Sequence, residues 1–253
     1  MSTTTAESVA VTSPRDAKGA YREMLIRLMT RQLYAETATA EVFGRSIGAA
    51  PTWPEKHLAA EFALEEAQHS QILCNLLTEL GEDPEAIIAQ RPAAAQFWSI
   101  DLDNWLHIAV FNFTVDRAGS HQIMEYRSSS YAPWANSMDV VLADEEEHYD
   151  NGVENLRQFA KDPKRLAEFQ QVFNGLLPVT LKRAFGRPSG ADNDFCLEQG
   201  LKRHSTEQVI NRYLEEMKGF MAGTGLRFPP LSAFDEAGVE LRDSTRRILG
   251  SLQ

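Results

Sequence analysis

The sequence predicts an all-α fold, a bundle of four long helices followed by shorter ones. Three observations carry that expectation. Apolar residues recur at steps of three and four along most of the chain, strict alternation is nearly absent, and Gly and Pro interrupt the periodic runs where helical hairpins would turn. The composition suits a globular protein: of 253 residues, 43% are hydrophobic and 24% charged.

In order, residues 1–17 (MSTTTAESVAVTSPRDA) read as a loose tail rich in Ser, Thr and Ala. A first helix runs from about 20 to 47 and stops in GAAPTWP, broken by Gly48, Pro51 and Pro54. A second runs from about 54 to 80, closed by Gly81 and then Pro84. A third spans about 97–127, with a turn at 128–133, and a fourth spans about 135–161. Shorter helices follow at about 163–186 and 194–220. The end, with GTGLRFPP and a charged amphipathic stretch, reads as a last helix or an arm. This gives a tail at 1–17, a helical domain at 18–222 and a C-terminal extension at 223–253.

Charge and cysteine content narrow the function classes. With 36 Asp+Glu against 25 Lys+Arg, the net charge is −11 and the isoelectric point about 5.1, which argues against nucleic acid as a partner. Two cysteines, Cys74 and Cys196, are too few for a disulfide scaffold, so a reducing, cytoplasmic location is expected. Neither a membrane span nor a signal peptide is legible.

The seams carry an anomaly. Met29, Leu33, Glu36, Ala40 and Phe43 share one helical face, as do Phe62, Glu66, His69, Leu73 and Leu76, and Met138, Val141, Glu145, His148 and Gly152. Polar residues therefore interrupt faces that a bundle buries. Glu66 with His69, and Glu145 with His148, each stand one turn apart and can grip one metal ion. With six histidines and 36 acids, about one such pair arises by chance, so the spacing has to carry the case. Glu36 precedes Glu66 by 30 residues and Asp116 precedes Glu145 by 29, each pair flanking a turn, so two antiparallel hairpins bring all six residues to one level. That is the ferritin-like di-metal pattern: a carboxylate from each of two helices and a Glu-x-x-His from each of the other two. Two divalent ions offset four inward carboxylates, and mixed O and N ligands suit iron, with manganese as the alternative. Glu125 competes with Asp116 but lies too close to the turn.

Neighbouring residues read more blandly. Glu61, Glu65, Asp144, Glu146, Glu147 and Asp150 rotate mostly toward solvent, with one or two available to hold the outer nitrogens of the ligand imidazoles. Asn112 lies one turn before Asp116 and can hydrogen-bond within the site. Phe43, Phe62 and Phe113 read as core, or as walls of a substrate pocket. His57, His107, His121 and His204 read as structural or surface histidines, and Tyr34 and Tyr149 flank ligands. Lys182, Arg183, Arg187, Lys202 and Arg203 each read as surface charges, or together as contacts for a phosphate-bearing substrate.

The stretches FTVDRAGSHQ (113–122), EEAQH (65–69), DEEEH (144–148) and FCLEQGLKRHSTEQVINRYLEEM (195–217) resemble the phenylacetic acid catabolic family, over roughly residues 20–220. That family includes the catalytic subunit of ring-1,2-phenylacetyl-CoA epoxidase, a multicomponent di-iron monooxygenase. The resemblance implies a di-iron centre at Glu36, Glu66, His69, Asp116, Glu145 and His148, and an oxygen atom inserted from O2 into an aromatic or apolar substrate, an acyl-CoA among the options. It also implies a separate reductase and either a second copy of the chain or a related helical subunit as partner. A related subunit in that complex lacks the ligands; retention of all six implies a catalytic member. The C-terminal region looks trimmed, so partner and CoA surfaces are expected to differ. The alternatives are an N-oxygenase, hydroxylase or desaturase on the same metals, and a ferritin- or rubrerythrin-like protein that handles iron or peroxide.

Overall fold

Two long helices, α1 (Gly19–Ser46) and α2 (Trp53–Glu79), form an antiparallel hairpin that opens the bundle in the computed structural model, which describes residues 10–91 and 100–252. Thr52 caps α2 by accepting from the Glu55 amide at 3.4 Å, and Pro54 occupies the first turn, where its missing N–H costs nothing. Gly81, at φ +85°, ends it: the Glu82 amide returns to the Leu77 carbonyl at 3.0 Å. A short α3 (Pro84–Ala89), absent from the sequence reading, then starts on Asp83, whose carboxylate accepts from the amides of Glu85 and Ala86 at 3.1 and 3.2 Å.

The third bundle helix is composite. It starts at Trp105, later than the expected 97, because the Asn104 side chain caps it. Positions 97–99 of that expectation lie outside the described residues. From α4 (Trp105–Phe111) the chain passes through a π-helical segment, Asn112–Asp116, into α5 (Arg117–Tyr126). It pairs with α6 (Ala132–Phe159), and contacts between α2 and α6 join the two hairpins. The expected loose tail lies outside the described residues at 1–9; Val11 bridges to Tyr131, donating to the Ser130 carbonyl at 2.7 Å.

Further helices brace the bundle. α7 (Pro163–Thr180) contains Pro178 and continues into a second π-helical segment, Leu181–Phe185. The helix expected over 194–220 is two, α8 (Ala191–Glu198) and α9 (Thr206–Met221). Gly200 at φ +66° ends the first, and a capping box of Ser205 with Gln208 begins the second. α10 (Leu231–Glu236) packs on α7 and α11 (Asp243–Gly250) on α9, so residues 223–252 contribute to the same core through Leu226, Phe228, Phe234 and Leu249. No described helix is long and apolar enough to cross a membrane.

The buried apolar residues form two clusters. One gathers Phe43, Phe62, Phe111, Phe113, Phe169 and Phe173; the other gathers Met29, Leu33, Leu73, Trp134, Met138 and Val141. On α1, α2 and α6 the chain leaves one cluster and enters the other across the level of Glu36, Glu66 and Glu145. A polar layer therefore splits the hydrophobic core.

Candidate metal centre

All six sequence-predicted ligands are buried in that layer, from His148 at 0% exposure to Glu36 and Asp116 at 4%. The i,i+3 spacing puts Glu66 with His69 on the inner face of α2 and Glu145 with His148 on that of α6. Asp116 ends the π segment. The register of that segment depends on a close approach, since a Cβ on Gly152 of α6 would sit 2.5 Å from the Phe113 amide nitrogen. Asn112 exploits this contact: its Nδ2 donates to the His148 carbonyl at 3.1 Å, so it braces α6 at the level of the polar layer. From the other side Tyr213 of α9 donates its hydroxyl to the Thr114 carbonyl at 2.8 Å, satisfying a group in the segment where the α-helical ladder is interrupted.

Ligating atoms of Glu36, Glu66, His69 and Glu145 all lie within 4.8 Å of one another. Nδ1 of His69 is 3.6 Å from Glu36 Oε2 and 3.9 Å from Glu66 Oε2, and Nδ1 of His148 is 3.3 Å from Glu66 Oε1. Asp116 lies outside the 4.8 Å group but shares a cavity wall with Glu36, Glu66 and Glu145. Five buried atoms of this set have no hydrogen-bond partner: Glu66 Oε2, His69 Nδ1, Asp116 Oδ2, Glu145 Oε2 and His148 Nδ1. Buried polar atoms are almost always paired, so five orphans converging on one place fit an added cation.

The outer edges of the imidazoles are paired crosswise. His69 of α2 binds Asp144 of α6 through Nε2 at 3.0 Å, and His148 of α6 binds Glu65 of α2 through Nε2 at 2.9 Å. With a proton held on Nε2 by each carboxylate, the Nδ1 lone pairs point inward, as a metal requires. Gln32 donates Nε2 to Glu36 at 2.8 Å, and Trp134 donates to Gln32 Oε1 at 3.0 Å, which fixes the Glu36 carboxylate.

Electrostatics agree with the geometry. Burial, reinforced by the charges of Glu145 and Glu36, pushes Glu66 well above the ordinary carboxylate range, and burial with Glu36 does the same to Asp116. Burial lifts Glu145 to about 8, His148 opposing, and Glu36 and Asp116 reinforcing. Burial would lower His69, but its contact with Glu36 prevails and raises it to about 9. Burial would raise Glu36, yet His69 outweighs it and holds the carboxyl low. As a cluster of protein groups alone, the layer holds more negative charge than it can ionise.

A cavity of about 340 Å3 opens directly beside these carboxylates, its apolar wall supplied by Val115, Gly119, Ile123 and Ala184. Residues 1–244 match the model of the phenylacetic acid catabolic protein family. The chain belongs to that family. No curated protein matches it. The fold of this family member is all-helical over the described residues and ferritin-like, and its buried Glu and His cluster suits a metal site.

The remaining candidates sort by contact. In this family member, Glu61, Glu146, Glu147 and Asp150 are exposed, whereas Glu65 and Asp144 are half-buried and take the two imidazoles. Glu125 is buried away from the layer, its oxygens filled by the Arg203 and His204 amides and by His204 Nδ1. Phe43 and Phe62 pack edge-on and tilted against the His148 ring, and Phe113 packs on Phe169 and Phe173. None of the three lines the cavity. Tyr34 lines it and donates to the Ile87 carbonyl, while Tyr149 lies under Arg117. His57 faces Glu61 at the surface, His107 accepts from the Asp101 amide, and His121 meets Glu216. Of the five basic residues, Lys182, Arg183, Arg187 and Arg203 are exposed but Lys202 is buried, which corrects its reading as a surface charge. Gln32 was missed, although its position four residues before Glu36 on one seam was a signal. Trp134 offered none.

Proposed function

We propose that the chain is a catalytic, oxygen-activating subunit of a multicomponent di-iron monooxygenase, with Glu36, Glu66, His69, Asp116, Glu145 and His148 as iron ligands. The observation that carries this reading is the set of five partnerless buried atoms, supplied by five of those six residues. Two bound iron ions would supply reductive activation of O2, with two electrons from a separate reductase, one oxygen atom entering the substrate and the other leaving as water.

The chain's own groups prepare that chemistry. Asp144 and Glu65 hold the imidazoles with Nδ1 inward, and Gln32 orients Glu36. The two apolar clusters pack against the layer from both ends of the bundle and limit water there. Gly119, whose missing side chain leaves room next to Glu145, lets an apolar substrate approach the carboxylates. A largely apolar cavity beside the ligands supports an organic substrate over iron storage or peroxide removal.

Metal analysis of the purified chain loaded with ferrous iron is expected to give two ions per chain, and His69→Ala or Glu145→Ala is expected to reduce this well below two. Iron content unchanged in both variants would overturn the ligand assignment. On mixing with air, the reduced protein should consume O2 in proportion to its iron; no consumption would overturn the oxygenase reading.

A further inference from the structure

We propose that the cavity beside the carboxylates ends in an oxyanion subsite made by Gln122 and Arg31 and backed by Lys202 behind Gln122, which selects ligands carrying a carboxylate at one end of an apolar body. That such a ligand is the substrate rests on the oxygenase reading; that it binds here does not.

Lys202 lies in the loop between α8 and α9 and is 8% exposed. Its ammonium donates to Gln122 Oε1 at 3.0 Å and stands 5.5 Å from the centre of the Tyr126 ring. No described acid lies within ion-pair distance of it. The nearby Glu125 is already filled by the Arg203 and His204 amides and the His204 ring. An ammonium carries three donors, so two remain unused. Burial, and next the charge of Arg31, pull the Lys202 pKa down to about 8. An uncompensated buried cation destabilises a fold, and such a cost persists where a ligand supplies the counter-charge.

Gln122 provides an independent observation. Both neighbours of its Oε1, the Lys202 ammonium and the Tyr126 hydroxyl at 3.5 Å, are donors, which fixes the amide orientation. Its Nε2 is then left buried with no partner, on a residue that is 7% exposed and lines the cavity. Arg31 lines both this cavity and an adjoining one of about 400 Å3, which also carries Arg27, Arg187 and Lys202. Its one acid, Asp192, is held by Arg27 through two contacts of 3.2 Å. A basic recess in a chain of net charge −11 therefore lies next to the apolar cavity, with Arg31 bordering both.

The dimensions favour a compact acid. Gln122 follows Asp116 by six residues on one helix, about 9 Å at 1.5 Å per residue, which an aromatic ring with a short spacer covers. One buried positive charge behind the partnerless Gln122 amide matches a planar monoanion better than a phosphate dianion.

Calorimetric titration of the full chain with 3-phenylpropanoate, its primary amide and inorganic phosphate tests the subsite without O2, reductant or turnover. The acid should bind at least tenfold tighter than the amide. Lys202→Met should abolish that preference while melting at the same or higher temperature, and Gln122→Leu should weaken the acid several-fold; Arg227→Gln, remote from the cavity, should change neither. Equal binding of acid and amide, no binding of either, a preference that survives Lys202→Met, or phosphate displacing the acid at equal concentration would overturn the proposal. If Lys202→Met fails to fold, Gln122→Leu decides. A carboxylate bound to the metals themselves would ignore residue 202, so failure here and failure of the oxygenase reading are separable.

Discussion

Asp116 and Arg117 are adjacent in sequence and end in opposite electrostatic worlds. Arg117 points toward α9, where Glu216 accepts from its Nε at 2.9 Å and from Nη2, and meets His121 Nε2 at 2.6 Å. Burial would raise Glu216, but those contacts prevail and pull it down to about 2. Asp116 points into the bundle, where burial and Glu36 push its carboxyl up and Oδ2 has no partner. Both clusters combine acids with histidine, yet the one on α9 sets a guanidinium beside a single carboxylate, whereas in the bundle layer the one raised imidazole, His69, faces four buried carboxyl groups. A charge-balanced cluster is structural glue; an unbalanced one is a site awaiting charge from outside the chain.

The contrast can be broken most forcefully by removing metal. At a thousandfold excess over Kd each bound ion adds about 4 kcal/mol of stability, so chelation should lower the melting temperature by roughly 15 °C or more. An unchanged melt would erase the distinction between the clusters. Next, Glu66→Gln should raise the melting temperature of the metal-free chain, because a carboxylate that cannot ionise comfortably is gone, while abolishing stoichiometric metal uptake. Destabilisation of the metal-free chain would contradict the crowding of charge.

Asp144→Asn and Glu65→Gln sharpen the comparison by loosening the imidazoles without touching a ligand. Each should weaken metal binding by about 10–100-fold, read by competition with a chelator of known affinity. The smallest expected effect is Glu216→Gln, a loss of about 1 kcal/mol after allowing for solvent screening of a partly exposed group. Its pH dependence has a definite sign. A carboxyl depressed in the folded state stabilises above its unfolded pKa, near 4.5, and loses that contribution as pH falls toward about 2. The stability gap between Glu216→Gln and the unmodified chain should therefore close across that acid window.

Much of the centre was legible because helical periodicity is local. The 3,4 steps that place Leu33, Glu36 and Phe43 on one face need no knowledge of the rest of the chain, and the paired spacings from Glu36 to Glu66 and from Asp116 to Glu145 encode the hairpins. Two boundaries were written in the sequence and overlooked: Asp83 before Pro84 starts α3, and Ser205 with Gln208 divides α8 from α9. Other features depend on remote partners. The π segment is held by Gly152 and Tyr213, far along the chain, and Lys202 is buried only because its loop docks against Gln122 and Tyr126. No window of local sequence contains such information.

The π segment also makes chain length, not only residue identity, a determinant of the site. Restoring a plain α-helix by losing one residue from Asn112–Asp116 would turn α5 by about 100° relative to α4. Either Asp116 would leave the bundle or Ile108 and Phe111 would leave the core. A single-codon deletion in this stretch is thus expected to do what no single side-chain exchange does: disconnect the ligand helix from its own beginning.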